Sequence, residues 1–208
     1  MDNQTTQFRR NEKPWLKTYE KFGMQYDIEM PPANTSLIEI FEESFVKYNG
    51  RISFVCMNQE LSFDDLDTYS KNIAAYLQSR GLKKGDKVAV MMPNILQSPV
   101  CILGVIRAGF VLVNVNPLYT THELEHQLKD SDTKALILLE NFAKTYADIA
   151  SKTVDHVVVA SMGDLMSPVK GFIVNTVVRH VKKMVPAYNI PGSVNFKKAM
   201  KVGAKKKY

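Results

Sequence analysis

Over residues 1–34 the hydrophobic positions follow no period. This stretch reads as an irregular leader ending in Pro31-Pro32, with Trp15, Leu16, Tyr19 and Phe22 available to anchor it. A helical period begins at Ser36. Ser36-Leu37-Ile38-Glu39 has capping-box spacing, in which the hydroxyl takes one free backbone N–H and the Glu returns to another. Leu37, Ile40, Phe41 and Phe45 then share one face, and Asn49-Gly50 ends the element. Two short runs, Ile52 to Cys56 and Gln59 to Phe63, flank Met57-Asn58 and predict a small hairpin. Ser62-Phe63-Asp64-Asp65 repeats the capping signal and opens a helix with Leu66, Tyr69, Ile73 and Leu77 on one face, closed by Gly81.

From there apolar runs and helical stretches alternate. The runs Val88 to Met92, Val111 to Val115, Ala135 to Leu139 and His156 to Ala160 read as strands, separated by helices at Ile95 to Ala108, Thr121 to Lys129 and Phe142 to Ser151. Strands rich in Val, Ile and Leu without polar alternation are covered on both faces, so the fold class is α/β: a largely parallel sheet flanked by helices on both faces, with right-handed crossovers. Pro93-Asn94 and Asn116-Pro117 end strands, and Gly109 ends a helix.

Beyond Ala160 the alternation stops. Gly171 to Val185 predicts one amphipathic helix with Val174, Val177, Val178, Val181 and Val185 on a stripe and Asn175, Arg179, Lys182 and Lys183 opposite, stopped by Pro186. Asn195 to Tyr208 is lysine-rich and reads as the start of an unfinished element. The expected organisation is a leader over 1–34, an α/β body over 35–166 and a basic segment over 167–208.

Charge sharpens that division. Ten of the 27 Lys and Arg residues, and none of the 21 acidic ones, lie from Pro168 to Tyr208, so this segment carries +10 and the rest of the chain −4. A basic, amphipathic helix suits an anionic membrane surface, with Phe172 entering the interface and Arg179, Lys182 and Lys183 meeting headgroups; the alternative is a valine stripe packed on the body. Nucleic acid is disfavoured, because the lysines are not interleaved with stacking aromatics. Two cysteines, Cys56 and Cys101, without CxxC spacing, read as reduced core thiols. The polar N-terminus lacks a signal-peptide pattern, and Val100 to Val115 is too short and too interrupted to span a bilayer, so the expected location is cytoplasmic, with peripheral attachment to the membrane's inner face as the finer reading.

Candidate chemistry is sparse. His122-Glu123-Leu124-Glu125-His126 fits HExxH, which places two imidazoles one helical turn apart on zinc. Thr120 with Glu123 already explains that Glu as helix-start chemistry, and Glu140, His156 and His180 offer no clear third ligand. The ten glycines are scattered, with no GxGxxG, GxxxxGK[ST] or GxSxG, so no nucleotide cradle or nucleophile elbow is expected from local sequence. The expected site list is therefore empty for catalysis, cofactor and metal.

The segment Gly81-Leu-Lys-Lys-Gly-Asp-Lys-Val-Ala-Val-Met-Met-Pro-Asn94 carries a resemblance. With Arg107-Ala108-Gly109, Val113-Asn114-Val115-Asn116-Pro117-Leu118-Tyr119-Thr120 and Glu123-Leu124-Glu125-His126-Gln127-Leu128, it resembles the N-terminal region of bacterial long-chain fatty acid–CoA ligases of the adenylate-forming superfamily. Trp15-Leu16-Lys17, Met162-Gly163-Asp164, Val181-Lys182-Lys183 and Val185-Pro186 extend it across the chain. The resemblance implies ATP-dependent acyl-CoA formation through an acyl-adenylate, with ATP, Mg²⁺, CoA and a long-chain fatty acid used by the full enzyme. It also implies a Thr/Gly-rich phosphate loop beyond the last residue here, so the chain alone is expected to bind no cofactor and to be inactive. A non-catalytic module that docks to membranes or self-associates as a homodimer is the alternative.

Overall fold

A computed structural model describes residues 13–24, 32, 35–149 and 154–208. By internal contacts the chain divides into two compact units, residues 1–40 and 41–208. The first holds α1 (Trp15–Lys21), a short helix where the sequence suggested an irregular leader; none of its residues is buried. Pro31 and much of the leader lie outside the described residues. The capping box at Ser36 forms as expected: Glu39 N–H donates to Ser36 Oγ at 3.2 Å, and Ser36 N–H donates to Glu39 Oε2 at 2.9 Å. It opens α2 (Leu37–Lys47), of whose apolar face Phe45 is buried.

In the second unit β1 (Ile52–Cys56) and β2 (Gln59–Ser62) form an antiparallel two-stranded sheet of their own. Met57 and Asn58 both take positive φ, 51° and 55°, as a two-residue turn matched to strand twist requires. Ser62 and Asp65 exchange capping hydrogen bonds at the start of α3 (Phe63–Gln78). Then follow β3 (Lys87–Met91), α4 (Gln97–Arg107), β4 (Val111–Asn114), α5 (Thr121–Asp130), β5 (Thr133–Leu139), a 3₁₀ turn (Glu140–Phe142), α6 (Ala143–Ala147), β6 (His156–Ala160), α7 (Pro168–Thr176), a π-turn (Val177–Val181), β7 (Val194–Asn195) and α8 (Phe196–Gly203). The five strands from β3 onward pair in parallel in the order β4-β3-β5-β6-β7.

Strand alternation sorts the core into two layers. Val88 and Val90, Ala135 and Ile137, and Val158 and Ala160 face a layer shared with Ile73 and Leu77 of α3, Val100 of α4 and Phe196 of α8. Ala89 and Met91, Leu136 and Leu138, and Val157 and Val159 face the other, with Leu124 and Leu128 of α5 and Tyr146 of α6. The unbroken apolar strands are thus covered on both sides. Two helix contacts depend on glycine: a Cβ on Gly104 of α4 would lie 2.6 Å from Ile73 Cγ2, and one on Gly203 of α8 would collide with the Asn72 carbonyl oxygen.

Three further elements differ from expectation. The helix expected over Phe142 to Ser151 is the 3₁₀ turn followed by the five-residue α6, and Ser151 lies outside the described residues. The single helix expected from Gly171 to Val185 is α7 plus a π-turn, ended by Lys183 in the left-handed region at φ 50°. There Lys182 N–H reaches the Val177 carbonyl at 2.7 Å and Met184 N–H the Val178 carbonyl at 2.9 Å, a wide closing turn that satisfies free carbonyls before Pro186 is reached. The lysine-rich stretch supplies β7 and α8, with Phe196 and Ala199 fully buried. Its alternation of apolar and Lys positions is the outer face of a packed helix.

Candidate functional site

In this strand order the chain leaves β3 for β4 on one side and returns to β5 on the other. Open parallel sheets bind ligands at the carboxyl ends of strands beside such a reversal. Four buried polar residues gather along that edge: Gln97 at the start of α4, Glu140 directly after β5, and Ser161 and Asp164 after β6. Gln97 Nε2 donates to the Ser161 and Met162 carbonyls at 2.8 and 3.2 Å, joining the α4 start to the end of β6. Asp164 Oδ2 accepts the Ser161 N–H at 2.7 Å.

Arg179 enters this edge from the π-turn. Its Nε donates to both Glu140 oxygens at 3.1 and 3.0 Å, and its Nη2 donates to Glu140 Oε2 at 2.7 Å and to Ser161 Oγ at 2.8 Å. These bonds to Glu140, opposed by burial, hold the guanidinium pKa above its ordinary value. Burial pushes the Asp164 carboxyl up; the Ser161 N–H and the Lys197 ammonium, 3.9 Å away, only partly offset it. Each member of the cluster is committed to another member. The set ties the start of α4, the 3₁₀ turn and the end of β6 to one another and to the π-turn.

The same geometry tests the fit of ATP and Mg²⁺. Glu140 faces a guanidinium and Asp164 a backbone N–H and a lysine, and among the described residues no group of three or more His, Cys, Asp and Glu side chains is placed to hold a metal. As placed, these two carboxylates face protein partners and not an open magnesium position. In the HExxH match, Glu123 is taken by the helix start: Thr120 N–H and Oγ1 both donate to Glu123 Oε2 at 2.8 Å, and these bonds hold its carboxyl below the usual range.

Of the candidate membrane-contact residues, Phe172 is 73% exposed, and Lys182 and Lys183 are exposed at the end of the π-turn. Arg179 is the exception in direction, since its guanidinium turns inward to Glu140. The exposed apolar positions are Val169, Phe172, Ile173, Val177, Val181 and Met184, so the outward face shares only Val177 and Val181 with the all-valine stripe expected.

Two further features were not expected as sites from sequence. Arg107, on the last turn of α4, is buried; its Nη1 donates to the Asp67 carbonyl and Ser70 Oγ, both at 2.8 Å, its Nη2 donates to Glu42 and Asp67, and its guanidinium stacks 4.6 Å from the Phe45 ring centroid. Burial would raise the Asp67 carboxyl, but bonds from Lys71 and Arg107 outweigh it and hold the pKa down. The second is an apolar groove of about 670 Å³ between α2, the β1–β2 hairpin and α4, walled by Phe41, Phe54, Cys56, Phe63, Pro99 and Ile102 among others. A lone Arg among apolar helix residues was the one available signal for the first; the groove depends on tertiary packing.

An α/β sheet with this order and two helix layers defines a class before any particular member. Residues 41–185 match the family of AMP-binding enzymes, and the chain belongs to that family. It is 45% identical over 198 residues to the long-chain-fatty-acid–CoA ligase of Salmonella typhimurium, covering 94% of this chain and 35% of that protein. It is 40% identical to the corresponding ligase of Haemophilus influenzae, with 95% and 35% coverage. The chain therefore spans about a third of the length of these relatives and matches their N-terminal part. Among solved structures, an anthranilate CoA ligase superposes with TM-score 0.65 over 82% of this chain and 29% of its own, at 16% identity. A benzoate CoA ligase from Burkholderia xenovorans superposes at 0.61, covering 80% and 28%, at 15% identity; at those identities the likeness is one of fold.

Proposed function

We propose that this chain is the N-terminal scaffold of an ATP-dependent long-chain fatty acid–CoA ligase. In the whole enzyme a fatty acid and ATP give acyl-adenylate and pyrophosphate, and the CoA thiol then displaces AMP. The observation that carries this reading is the 45% identity to the Salmonella ligase over nearly the whole chain. The chain itself contributes a rigid sheet, and the chemistry resides in residues that it does not contain: its polar cluster at the sheet edge is internally satisfied, and its sequence has no phosphate-cradling loop. The test replaces the matching part of the Salmonella enzyme with this chain and measures acyl-CoA formed from palmitate, ATP, Mg²⁺ and CoA. The hybrid is expected to be active and the 208-residue chain alone inactive. An inactive but folded hybrid, or acyl-CoA made by the chain alone, refutes this.

A second reading concerns where the protein works. Exposed Val169, Phe172 and Ile173 beside Lys182 and Lys183 form an apolar strip with a basic end, which favours peripheral attachment to the inner face of the membrane over a homodimer interface. Among the described residues no helix is long and apolar enough to cross a membrane. Co-sedimentation with vesicles containing anionic lipid is expected at low salt, to weaken at high salt, and to fall with Phe172→Asp. Salt-independent binding, or none, removes this reading.

A further inference from the structure

The capping role of Glu123 accounts for one residue of the HExxH match and leaves its two histidines unexplained. Both lie on α5, which buries Leu124 and Leu128 against the sheet and exposes His122 and His126 on the opposite side. Residues four apart on a helix stand one above the other with Cβ atoms about 5–6 Å apart, a span across which two imidazoles can close on a single ion. Among the described residues neither imidazole makes a hydrogen bond or an ion pair, so neither has a contact to give up. The spacing is set in advance: the Thr120–Glu123 exchange fixes the start of the helix, and Leu124 and Leu128 fix its inner face. Charge favours a cation here although the chain as a whole is basic, since α5 holds Glu123, Glu125 and Asp130 against Lys129 alone.

We infer that His122 and His126 form a two-imidazole site for a borderline divalent transition ion, Cu²⁺, Ni²⁺ or Zn²⁺, with water in the remaining positions. Imidazole nitrogen suits these ions, whereas Mg²⁺ takes oxygen ligands, so the site discriminates against the magnesium that accompanies ATP. Glu123 is held by Thr120 and Glu125 by Lys129, and Asp130 lies about 12 Å along the helix axis from His122, so the protein supplies two ligands. With its glutamate held in the cap the motif lacks the general base of a metallohydrolase; it binds an ion and does not hydrolyse. Copper should bind most tightly, following the general order of divalent affinities. The chelate exists only while 122–126 is helical, so an ion stabilises the first turns of α5. His156 begins β6 and His180 lies in the π-turn, and neither has a second imidazole one helical turn away. The site shares no residue with the sheet-edge cluster and does not depend on the ligase reading.

Calorimetric titration of the metal-free chain with CuCl₂, NiCl₂ and ZnCl₂ in neutral buffer tests this, with MgCl₂ as the control. One ion per chain is expected, with copper tightest and no magnesium bound at the site. His122→Ala and His126→Ala should each weaken binding at least tenfold, and His180→Ala should leave it unchanged. Both substituted side chains are exposed, so far-UV circular dichroism of the metal-free variants should match the parent chain. Hydrogen exchange supplies a readout tied to the helix: Ni²⁺ should slow the amides of α5 at least threefold in the parent chain and not in His126→Ala. Electron paramagnetic resonance of the Cu²⁺ form should show two coordinated imidazole nitrogens. Absence of binding, binding indifferent to both alanine variants, or binding lost with His180→Ala overturns the proposal; the last two outcomes place an adventitious ion elsewhere on the chain. Tight binding that leaves exchange in α5 unchanged also overturns it, because an ion bridging the two rings must restrain that helix.

Discussion

Removing Arg179 should cost more stability than removing both Arg179 and the charge of Glu140. The Glu140 side chain is 3% exposed and that of Arg179 is 40% exposed, so the two ends of the pair are solvated unequally. Arg179→Ala leaves a carboxylate buried at the end of β5 without its countercharge. Breaking a buried pair by deleting one partner costs about 3–5 kcal/mol, and the water on Arg179's open flank reduces this to roughly 2–3 kcal/mol. Glu140→Gln keeps an acceptor for the guanidinium, which also has solvent, and should cost about 1 kcal/mol. The double variant lacks a buried charge altogether, so it should recover about 1 kcal/mol relative to Arg179→Ala, a favourable coupling visible in a double-mutant cycle. Urea unfolding followed by far-UV circular dichroism gives the four stabilities, provided the m values agree. A double variant no more stable than Arg179→Ala would show that the pair does not hold the π-turn through charge compensation.

Arg107→Met should destabilise by about 2–4 kcal/mol, because it strips Asp67 and Ser70 of their shared donor inside the α3–α4 contact; a fall in thermal midpoint of only a degree or two would refute it. Gly203→Ala should cost about 1–3 kcal/mol or displace α8, since the new methyl meets the Asn72 carbonyl; unchanged urea stability and an unchanged near-UV spectrum would contradict this. Asp164 has a folded pKa raised by burial, so the folded state binds its proton more tightly than the unfolded chain and stability is lost as pH rises toward that folded value. Asp164→Asn, neutral throughout, should flatten the dependence: as pH rises above the ordinary Asp value of about 4, the wild-type midpoint should fall relative to the variant's. Parallel curves would refute the assignment.

Much of this architecture was legible because local signals and tertiary environment agree. Ser62 with Asp65 and Thr120 with Glu123 are caps in sequence and in space, and the apolar runs read at 88–92, 135–139 and 156–160 fall on the strands at 87–91, 133–139 and 156–160, whose alternate residues feed two core layers. Where expectation and structure part, a long-range partner decides. The valine-rich 171–185 stretch reads as one helix, yet Arg179 is drawn to a carboxylate 39 residues earlier and the backbone widens into a π-turn. The lysine stretch reads as an open tail because its buried face is short, and its contacts lie with α3 far upstream. The sheet-edge cluster was invisible for the same reason: Gln97, Glu140, Ser161 and Arg179 are meaningful only once a parallel sheet brings its strand ends together.

The glycine-mediated seat of α8 on α3 bears on the order of assembly. Asn72 must wait for Gly203 while the whole β3-to-β7 series is synthesised, so the α3 surface is made early and sealed late. A nascent chain in that interval carries an open apolar flank. Chaperone dependence should therefore concentrate in the span of translation before α8 emerges.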